Sequence, residues 1–336
     1  MKLVEIEGDE IVEINRLGPS VCCRAAEFHR PRRMSPSKVP PAVALYGLML
    51  LMGACAQQDG ADPRAQDDTA EPGIVEPVMP MGNLLIEEVY YSGAIPTAGA
   101  ERYYSDQFIE VMNVADAPVM VGGLILGDAP GIAGGINRGT TPGGPYVNDP
   151  DYVYLSSAWR IPGEPQDVLL QPGETLVIAQ DAATHHPYSP VNLLDADYET
   201  FVSEYGEDFD DAVVPNLESL WYGAGYDWLV TVFGPTIVVL SMDAADLEEA
   251  GGPYPPVRAP VSAVVDTMEA LMDAGSGAYK RLHSTVDSGF IHVSGTYTGE
   301  SVRRKRDGTG ALIDTDDSGA DFEVSSMPDP DFDSQR

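Results

Sequence analysis

Cysteine is nearly absent from this chain, and its three cysteines all lie near the amino terminus. Cys22 and Cys23 are adjacent, and Cys55 is the last cysteine of the 336 residues. The sequence after Cys55 therefore has no thiol for a disulfide, a zinc–thiolate site or a cysteine nucleophile. Its stability must come from a buried core, which a body of this length is large enough to form.

Positive charge is also scarce. The chain has 19 lysines and arginines against 53 aspartates and glutamates, for a formal net charge of −34 at neutral pH. Nucleic-acid affinity depends largely on cationic side chains that displace counterions from phosphates. We therefore predict no nucleic-acid partner, whereas solubility and attraction of divalent cations fit the acidic balance.

No apolar run is long enough for a membrane-spanning helix, which needs about 20 residues. The longest, Ala42 to Cys55, reads AVALYGLMLLMGAC and has the length of a secretory signal core. Its end resembles the bacterial lipobox, in which small residues precede a cysteine that carries diacylglycerol. This resemblance implies lipidation at Cys55. The alternatives are an ordinary signal peptide and a buried apolar helix.

The signal divides the chain into segments of different character. The acidic beginning is unlike a secretory n-region, so we expect Met34 to be the native start. Ala56 lacks the aspartate that in some bacteria retains lipoproteins at the inner membrane, so we expect an exported protein at the outer membrane or cell surface. The predicted segments are 1–33, not part of the native product; 34–54, a lipoprotein signal peptide; 55–81, a disordered acidic Pro-rich tether; 82–327, a folded body; and 328–336, a disordered tail.

The folded body is predicted to be all-β. Short β-branched or aromatic runs, separated by Gly, Pro, Asn and Asp, indicate strands and most simply a β-sandwich with long loops. The runs are LLIEEVYY, QFIEVMN, VMVGGLILG, TLVIAQ, WLVTVF, TIVVL and FIHVSGTY. Two stretches with a capping residue in front and a glycine behind, Asp195 to Gly206 and Ser241 to Gly251, predict short inserted helices.

Catalytic motifs are missing. Neither G-x-S-x-G nor H-E-x-x-H occurs, so we predict no enzyme, no catalytic residue and no metal ligand. Glu87 and Glu110 lie in predicted strands and could hydrolyse a glycoside if they were separated by roughly 5–10 Å. We favour the interpretation that both face solvent. His185 and His186 are expected in an exposed loop, where a metal pair would need further ligands.

Two acidic segments and one basic run have alternative interpretations. Asp314, Asp316, Ser318 and Gly319 match the first half of a calcium loop, but position twelve is Ser325 instead of glutamate. An EF-hand is excluded, and a looser calcium site or a polar turn remains. The run Glu207 to Asp211 is interpreted as a solvated acidic loop instead of a metal cage. For Arg303 to Arg306, internal salt bridges are favoured over a docking patch.

The order of the strand motifs also carries a resemblance. NLLIEEVYYSG, DQFIEVMNVAD and VMVGGLILGD, between Asn83 and Asp128, resemble the opening of a lamin-tail-type immunoglobulin-like domain. Further motifs occur in the order seen in a bacterial lipoprotein family named domain of unknown function 4876, which is similar to lamin-tail modules: LQPGETLVIAQ from Leu170, LLDADYE from Leu193, VVPNL from Val213, KRLHSTVDSGF from Lys280 and SVRRKRDGTGALIDTDDSGADF from Ser301. The resemblance covers 83–327 and implies an immunoglobulin-like sandwich. It implies no activity.

Together these observations predict a lipid-anchored envelope protein that acts as a non-catalytic binding or assembly module. Its expected partners are the membrane, through the lipid on Cys55, and an envelope protein or glycan. No cofactor is expected, apart from the weak calcium candidate. The alternatives are an exported hydrolase of polysaccharide or peptide and a calcium-dependent adhesion module.

Overall fold

In the computed structural model, the described residues are 75–97, 99, 102–131, 140–203, 206, 208–222, 227–228, 230–252 and 255–332. Cys55, the segments 1–33 and 34–54, and most of the predicted tether lie outside them. Within these residues no helix has the length and apolarity needed to cross a bilayer.

Strands are the main regular secondary structure of the described residues. They are β1 (Leu84–Tyr90), β2 (Phe108–Asn113), β3 (Val119–Met120), β4 (Ile125–Asp128), β5 (Tyr152–Leu155), β6 (Ser157–Arg160), β7 (Leu169–Leu170), β8 (Thr175–Ala179), β9 (Tyr198–Glu199), β10 (Glu218–Tyr222), β11 (Thr236–Leu240), β12 (Glu248–Glu249), β13 (Val257–Pro260), β14 (Val264–Glu269), β15 (Ser301–Arg304) and β16 (Phe322–Ser325). The helical elements are α1 (Ser318–Asp321) and the 3-10 turns Pro165–Asp167, Ala244–Asp246, Val261–Ala263 and Ser276–Tyr279.

The strands form two large and two small sheets. The six-stranded sheet has the order β16-β15-β1-β2-β8-β9, and the five-stranded sheet has the order β10-β6-β4-β11-β14. A three-stranded sheet, β12-β13-β5, and a β3-β7 pair complete the set. All strand pairs are antiparallel except β8 with β9. The fold is therefore all-β, as predicted.

The main core lies between the two large sheets. Along β2, Ile109 and Val111 belong to this core, whereas Phe108 belongs to a cluster on the opposite face. On the five-stranded sheet, Ile237 and Val239 of β11 point to the same core. This alternation is what a period of two residues per strand produces.

Both large sheets are buried on their second face as well. On β11, Val238 and Leu240 pack in a cluster with residues of the three-stranded sheet. On the six-stranded sheet, Val177 and Ala179 of β8 pack against the chain around Leu193. A strand buried on both faces is apolar at successive positions, which explains runs such as TIVVL.

Several predicted elements correspond to strands and others do not. LLIEEVYY, QFIEVMN, TLVIAQ and TIVVL contain β1, β2, β8 and β11, while VMVGGLILG is divided into β3 and β4 by a turn at Gly122 and Gly123. The described residues of WLVTVF and FIHVSGTY form no strand beyond one isolated bridge at Ile291.

The helix predicted over Asp195 to Gly206 is wrong in its described part. Tyr198–Glu199 form β9, parallel to β8, and Asp197 accepts a hydrogen bond from the Val177 amide at 2.8 Å. Pairing with β8 outweighs the local helix signal, as tertiary context often does. The Ser241 to Gly251 helix is reduced to one 3-10 turn capped by Asp243, because Glu248 then pairs with β13.

The ends of the described chain contact the sheets. Val78, in the predicted tether, forms a parallel bridge with Val119. Beyond 327, the Thr175 hydroxyl donates to the Asp331 carbonyl at 2.6 Å, and Phe332 packs beside the outer cluster of the six-stranded sheet.

Candidate functional site

The candidate glutamate pair lies on the outer face of the six-stranded sheet. A bulge in β1 falls between Ile86 and Glu88, and Glu110 of β2 is directly opposite Glu88. Glu87 is 8% exposed and Glu110 only 1%. The expectation that both face solvent is therefore wrong. The Asp331 amide donates to Glu110 Oε1 at 3.3 Å, so the carboxy-terminal segment covers this part of the face.

Arginines neutralise two of the three glutamates on this face. Arg303 contacts Glu88 through Nε at 3.0 Å, and Arg306 forms an ion pair with Glu87. Glu110 has no such partner among the ion pairs of the described residues. Burial, followed by the negative charges of Glu87 and Glu88, raises the pKa of Glu110 to about 9. Glu110 is therefore protonated at neutral pH, and the salt bridges expected for Arg303 and Arg306 are confirmed.

His185 and His186 are not placed to share a metal ion. His185 is 2% exposed, so its expected exposure is wrong, whereas His186 is exposed. The His185 ring lies 2.7 Å from the Tyr103 hydroxyl at Nδ1 and 3.1 Å from the Asp181 carbonyl at Nε2. Because a carbonyl only accepts, Nε2 carries the proton and Nδ1 accepts from Tyr103. Burial lowers the pKa of His185 to about 4, so the ring is neutral.

The segment that resembled half a calcium loop is engaged in other contacts. Asp314 lies 3.3 Å from an Arg304 nitrogen, and Ser318 donates through its amide to Asp287 at 2.9 Å. Helix α1 begins at Ser318, capped by Asp317. Asp316 has a φ of 54° and is exposed. These contacts fit the polar-turn interpretation of the segment.

A second acidic cluster was not predicted. It consists of Asp181, Asp208 and Asp227, which each offer one ligand oxygen, all within 4.8 Å of one another. Asp181 follows β8, Asp208 follows β9, and Asp227 follows β10, so loops at the ends of three strands bring them together. The acidic run expected to be solvated thus contributes Asp208 to a half-buried cluster.

Each carboxylate of this cluster has one engaged and one unpaired oxygen. The Val202 amide donates to Asp208 Oδ2 at 2.6 Å, and Gln180 Nε2 donates to Asp227 Oδ2 at 2.6 Å. Asp181 is hydrogen-bonded to Ser105. The Oδ1 atom of every one of the three is buried and has no partner. Each of the three carboxylates therefore has one buried oxygen without a hydrogen-bond partner.

The electrostatics of the cluster are unfavourable. Burial, and then the charges of Asp227 and Asp208, raise the pKa of Asp181 to about 8. Burial also raises the pKa of Asp208, to about 6, and that of Asp227. None of the ion pairs in the described part of the chain reaches these residues. A proton or a cation is therefore required to balance the charge.

Sequence reasoning missed Asp181 and Asp227. The available signal was the change from apolar to polar at Gln180 and Asp181, directly after a buried strand. It does not by itself identify partners that lie tens of residues away.

Two comparisons give matches for this chain. The family model described as "Protein of unknown function (DUF4876)" matches residues 171–254 and 255–329. The crystal structure of a DUF4876 family protein from Bacteroides thetaiotaomicron VPI-5482 is similar, with a TM-score of 0.63 and 23% sequence identity, covering 72% of this chain and 71% of that one. Both findings support the family, and the second shows a shared fold. No curated protein matches the sequence.

Proposed function

We propose that this chain is a member of the DUF4876 family and a lipid-anchored protein of the bacterial cell envelope. The apolar run ending in Leu51-Met52-Gly53-Ala54-Cys55 supports export and lipidation at Cys55. In this proposal the signal 34–54 is removed, and the mature protein lies at the outer membrane or cell surface. Residues 55–81 then link the lipid to the β-structured body.

We also propose that the body is a lamin-tail-type, immunoglobulin-like sandwich. Two large sheets packed across one apolar core support this type of fold. The motifs that carry the resemblance coincide with β1, β2 and the pair β3 and β4.

The body acts as a non-catalytic binding or assembly module, and one observation carries this part of the proposal. Of the two carboxylates considered for hydrolysis, Glu87 is bound to an arginine, as is the neighbouring Glu88, and Glu110 is contacted by the carboxy-terminal segment. Carboxylates in such contacts stabilise the folded body and are poorly available to a substrate. In this proposal an envelope protein or glycan binds at the loops and outer surfaces of the body.

Metabolic labelling with an alkyne fatty acid tests the anchor. Expression of the full chain in a bacterium should give a labelled membrane protein whose amino-terminal peptide begins at a modified Cys55. Cys55→Ala should abolish the label, whereas Cys23→Ala, in the segment predicted to be absent from the native product, should retain it. An unlabelled protein that keeps its leader would contradict the proposal.

Crosslinking in intact envelopes, followed by affinity capture of the full chain, tests the binding role. We expect the same protein or glycan in repeated captures with the wild type, and its loss when the body is denatured before crosslinking. Captures that contain no partner above the level of an unrelated lipoprotein would count against a binding module.

The hydrolase alternative retains one supporting observation. Glu110 is a protonated carboxylic acid beside two carboxylates, which is the protonation pattern that acid catalysis of glycoside cleavage uses. Turnover of a polysaccharide and peptide panel by the wild type, with loss of turnover in Glu110→Gln, would establish this alternative. Absence of turnover across the panel would favour the binding module.

A further inference from the structure

Residues 328–332 lie across the outer face of the six-stranded sheet without forming a strand of it. We call them the covering segment, and we call the side chains that hold it, Glu88, Glu110, Thr175 and Arg303, the covered face. We propose that the covered face is a binding site for an extended peptide of a partner protein, which the chain's own covering segment mimics. The inference rests on the binding role proposed above and names the chemistry of the partner.

The covering segment is held through its main chain. Both amides and both carbonyls of its two aspartates are bonded to side chains of β15, β1, β2 and β8, which are neighbours in that order, so the segment runs across the strands. Main-chain groups recur in every peptide, so these contacts do not require this particular sequence. The four hydrogen bonds are Asp329 N–H to Glu88, Arg303 Nη2 to the Asp329 carbonyl at 3.0 Å, Asp331 N–H to Glu110 Oε1 at 3.3 Å, and Thr175 Oγ1 to the Asp331 carbonyl at 2.6 Å.

Burial alternates along the covering segment. Pro328, Pro330 and Phe332 are half-buried, whereas Asp329 and Asp331 are exposed. The Phe332 ring packs beside the apolar cluster on this side of the sheet. Each proline has no N–H to leave unsatisfied and fixes its own φ, which reduces the entropy lost when an extended chain binds. The main-chain contacts therefore set the path of the peptide, and the three half-buried positions set its sequence preference.

These contacts specify the chemistry of the partner. An amide donor and a carbonyl acceptor at every second residue are what a peptide supplies, so the covered face favours a protein over a glycan. The expected motif is proline, any residue, proline, any residue and an aromatic residue, which is the spacing of the covering segment. The two intervening side chains are exposed in the covering segment, so the partner need not be acidic there.

The attachment of the covering segment permits exchange. It follows β16 after Ser326 and Met327, which are both exposed. Phe332 provides its contact with the apolar clusters of the described residues. Segments with few buried apolar contacts open locally at a lower free energy than core strands. A partner peptide can therefore replace the covering segment without unfolding of the sheet.

A labelled peptide of residues 326–336 tests the covered face by fluorescence anisotropy. It is titrated with the full chain and with a chain that ends after Met327, whose fold is checked by circular dichroism. An attached segment has an effective concentration on the order of 1 mM. A site with a dissociation constant on the order of 0.1 mM should therefore bind the free peptide about tenfold more tightly in the shortened chain. Absence of binding to the folded, shortened chain would overturn the proposal.

Phe332→Ala in the full chain gives a second readout that does not depend on the shortened chain. Loss of the half-buried ring should loosen the covering segment, so the labelled peptide should bind more tightly than it binds to the unaltered chain. Met327→Ala removes an apolar side chain that is 73% exposed and should leave peptide binding unchanged. A peptide that itself carries Phe332→Ala should bind about tenfold more weakly to the opened site. Equal binding of the two peptides would contradict recognition of an aromatic residue.

Competition in intact envelopes separates this site from the binding role as a whole. The partner captured with the full chain should be more abundant with the chain that ends after Met327, and an excess of the peptide of residues 326–336 should remove it. A protein or glycan that the peptide does not remove binds elsewhere, which would overturn the covered face as the site and leave the binding role intact. Captures without any partner would contradict the binding role itself.

Discussion

Glu110 offers the sharpest test of the electrostatics of the six-stranded sheet. Its carboxyl is 1% exposed, it faces Glu88, and Glu87, Arg303 and Asp331 lie nearby. The perturbation is Glu110→Gln, which keeps the shape of the side chain and an Oε1 acceptor for the Asp331 amide. Because the native group is protonated at neutral pH, the substitution replaces one neutral group by another.

The magnitude follows from the two pKa values. The pKa of Glu110 is 4.5 for the free side chain and about 9 in the folded protein. Below pH 4.5 the carboxyl is protonated in both the folded and the unfolded state, and above about pH 9 it is ionised in both states. Between these values the folded state holds a proton that the unfolded chain has released. The stability that this group contributes is therefore full below pH 4.5 and falls as pH rises, by about 1.4 kcal/mol per pH unit.

The assay is urea unfolding of both proteins at pH 5, 6, 7 and 8. The difference in unfolding free energy between the two proteins cancels the titrating groups that do not interact with Glu110. We expect Glu110→Gln to be within about 1 kcal/mol of the wild type near pH 5. Its relative stability should then increase by about 4 kcal/mol at pH 8.

The control for the loss of a carboxylate is Glu323→Gln, at an exposed strand position, measured at the same pH values. The reasoning is refuted if the Glu110→Gln difference does not change between pH 5 and pH 8. A constant deficit in the stability of the variant would indicate that Glu110 is ionised throughout this range and stabilised by its surroundings.

Three further substitutions test the packing of the buried polar groups. Arg304→Ala leaves the Asp266 carboxylate, now 2.6 Å from the guanidinium, buried without its cation, and urea unfolding should show a loss of about 3–5 kcal/mol. Trp228→Phe removes the indole donor 2.9 Å from the buried Asp128 Oδ1 and should cost about 1–3 kcal/mol in the same assay, with unchanged circular dichroism. Gly122→Ala would place a Cβ 2.1 Å from a backbone carbonyl oxygen, and urea unfolding should show a loss of about 1–3 kcal/mol. The control Gly308→Ala, at a position where the space is open, should have little effect.

The all-β class and the central strands could be predicted because their cause is local. Short apolar runs rich in β-branched or aromatic residues are visible within a few residues of sequence, and β1, β2, β8 and β11 all carry one. The basic run after Ser301 also indicated its own salt bridges, because a strongly acidic chain offers carboxylates to any arginine.

The errors in the sequence analysis arise where distant residues decide the local conformation. The helix signal from Asp195 onward yields to pairing with β8, and the ring of the buried His185 contacts the Tyr103 hydroxyl, which lies 82 residues earlier in the chain. Neither contact leaves a trace in the spacing of nearby residues.

The sequence by itself determined the fold class, the acidic balance and the absence of thiols beyond Cys55, because composition and short apolar runs between turn residues are properties of the chain alone. Only the tertiary structure decided which carboxylates meet. The bulge in β1 and the cross-strand register of Glu110 bring three glutamates together, and the loops after three strands bring together three aspartates, of which Asp181 and Asp227 are 46 residues apart in the chain. Burial then shifts their pKa values, so the chemistry of this protein depends on contacts that the linear order does not contain.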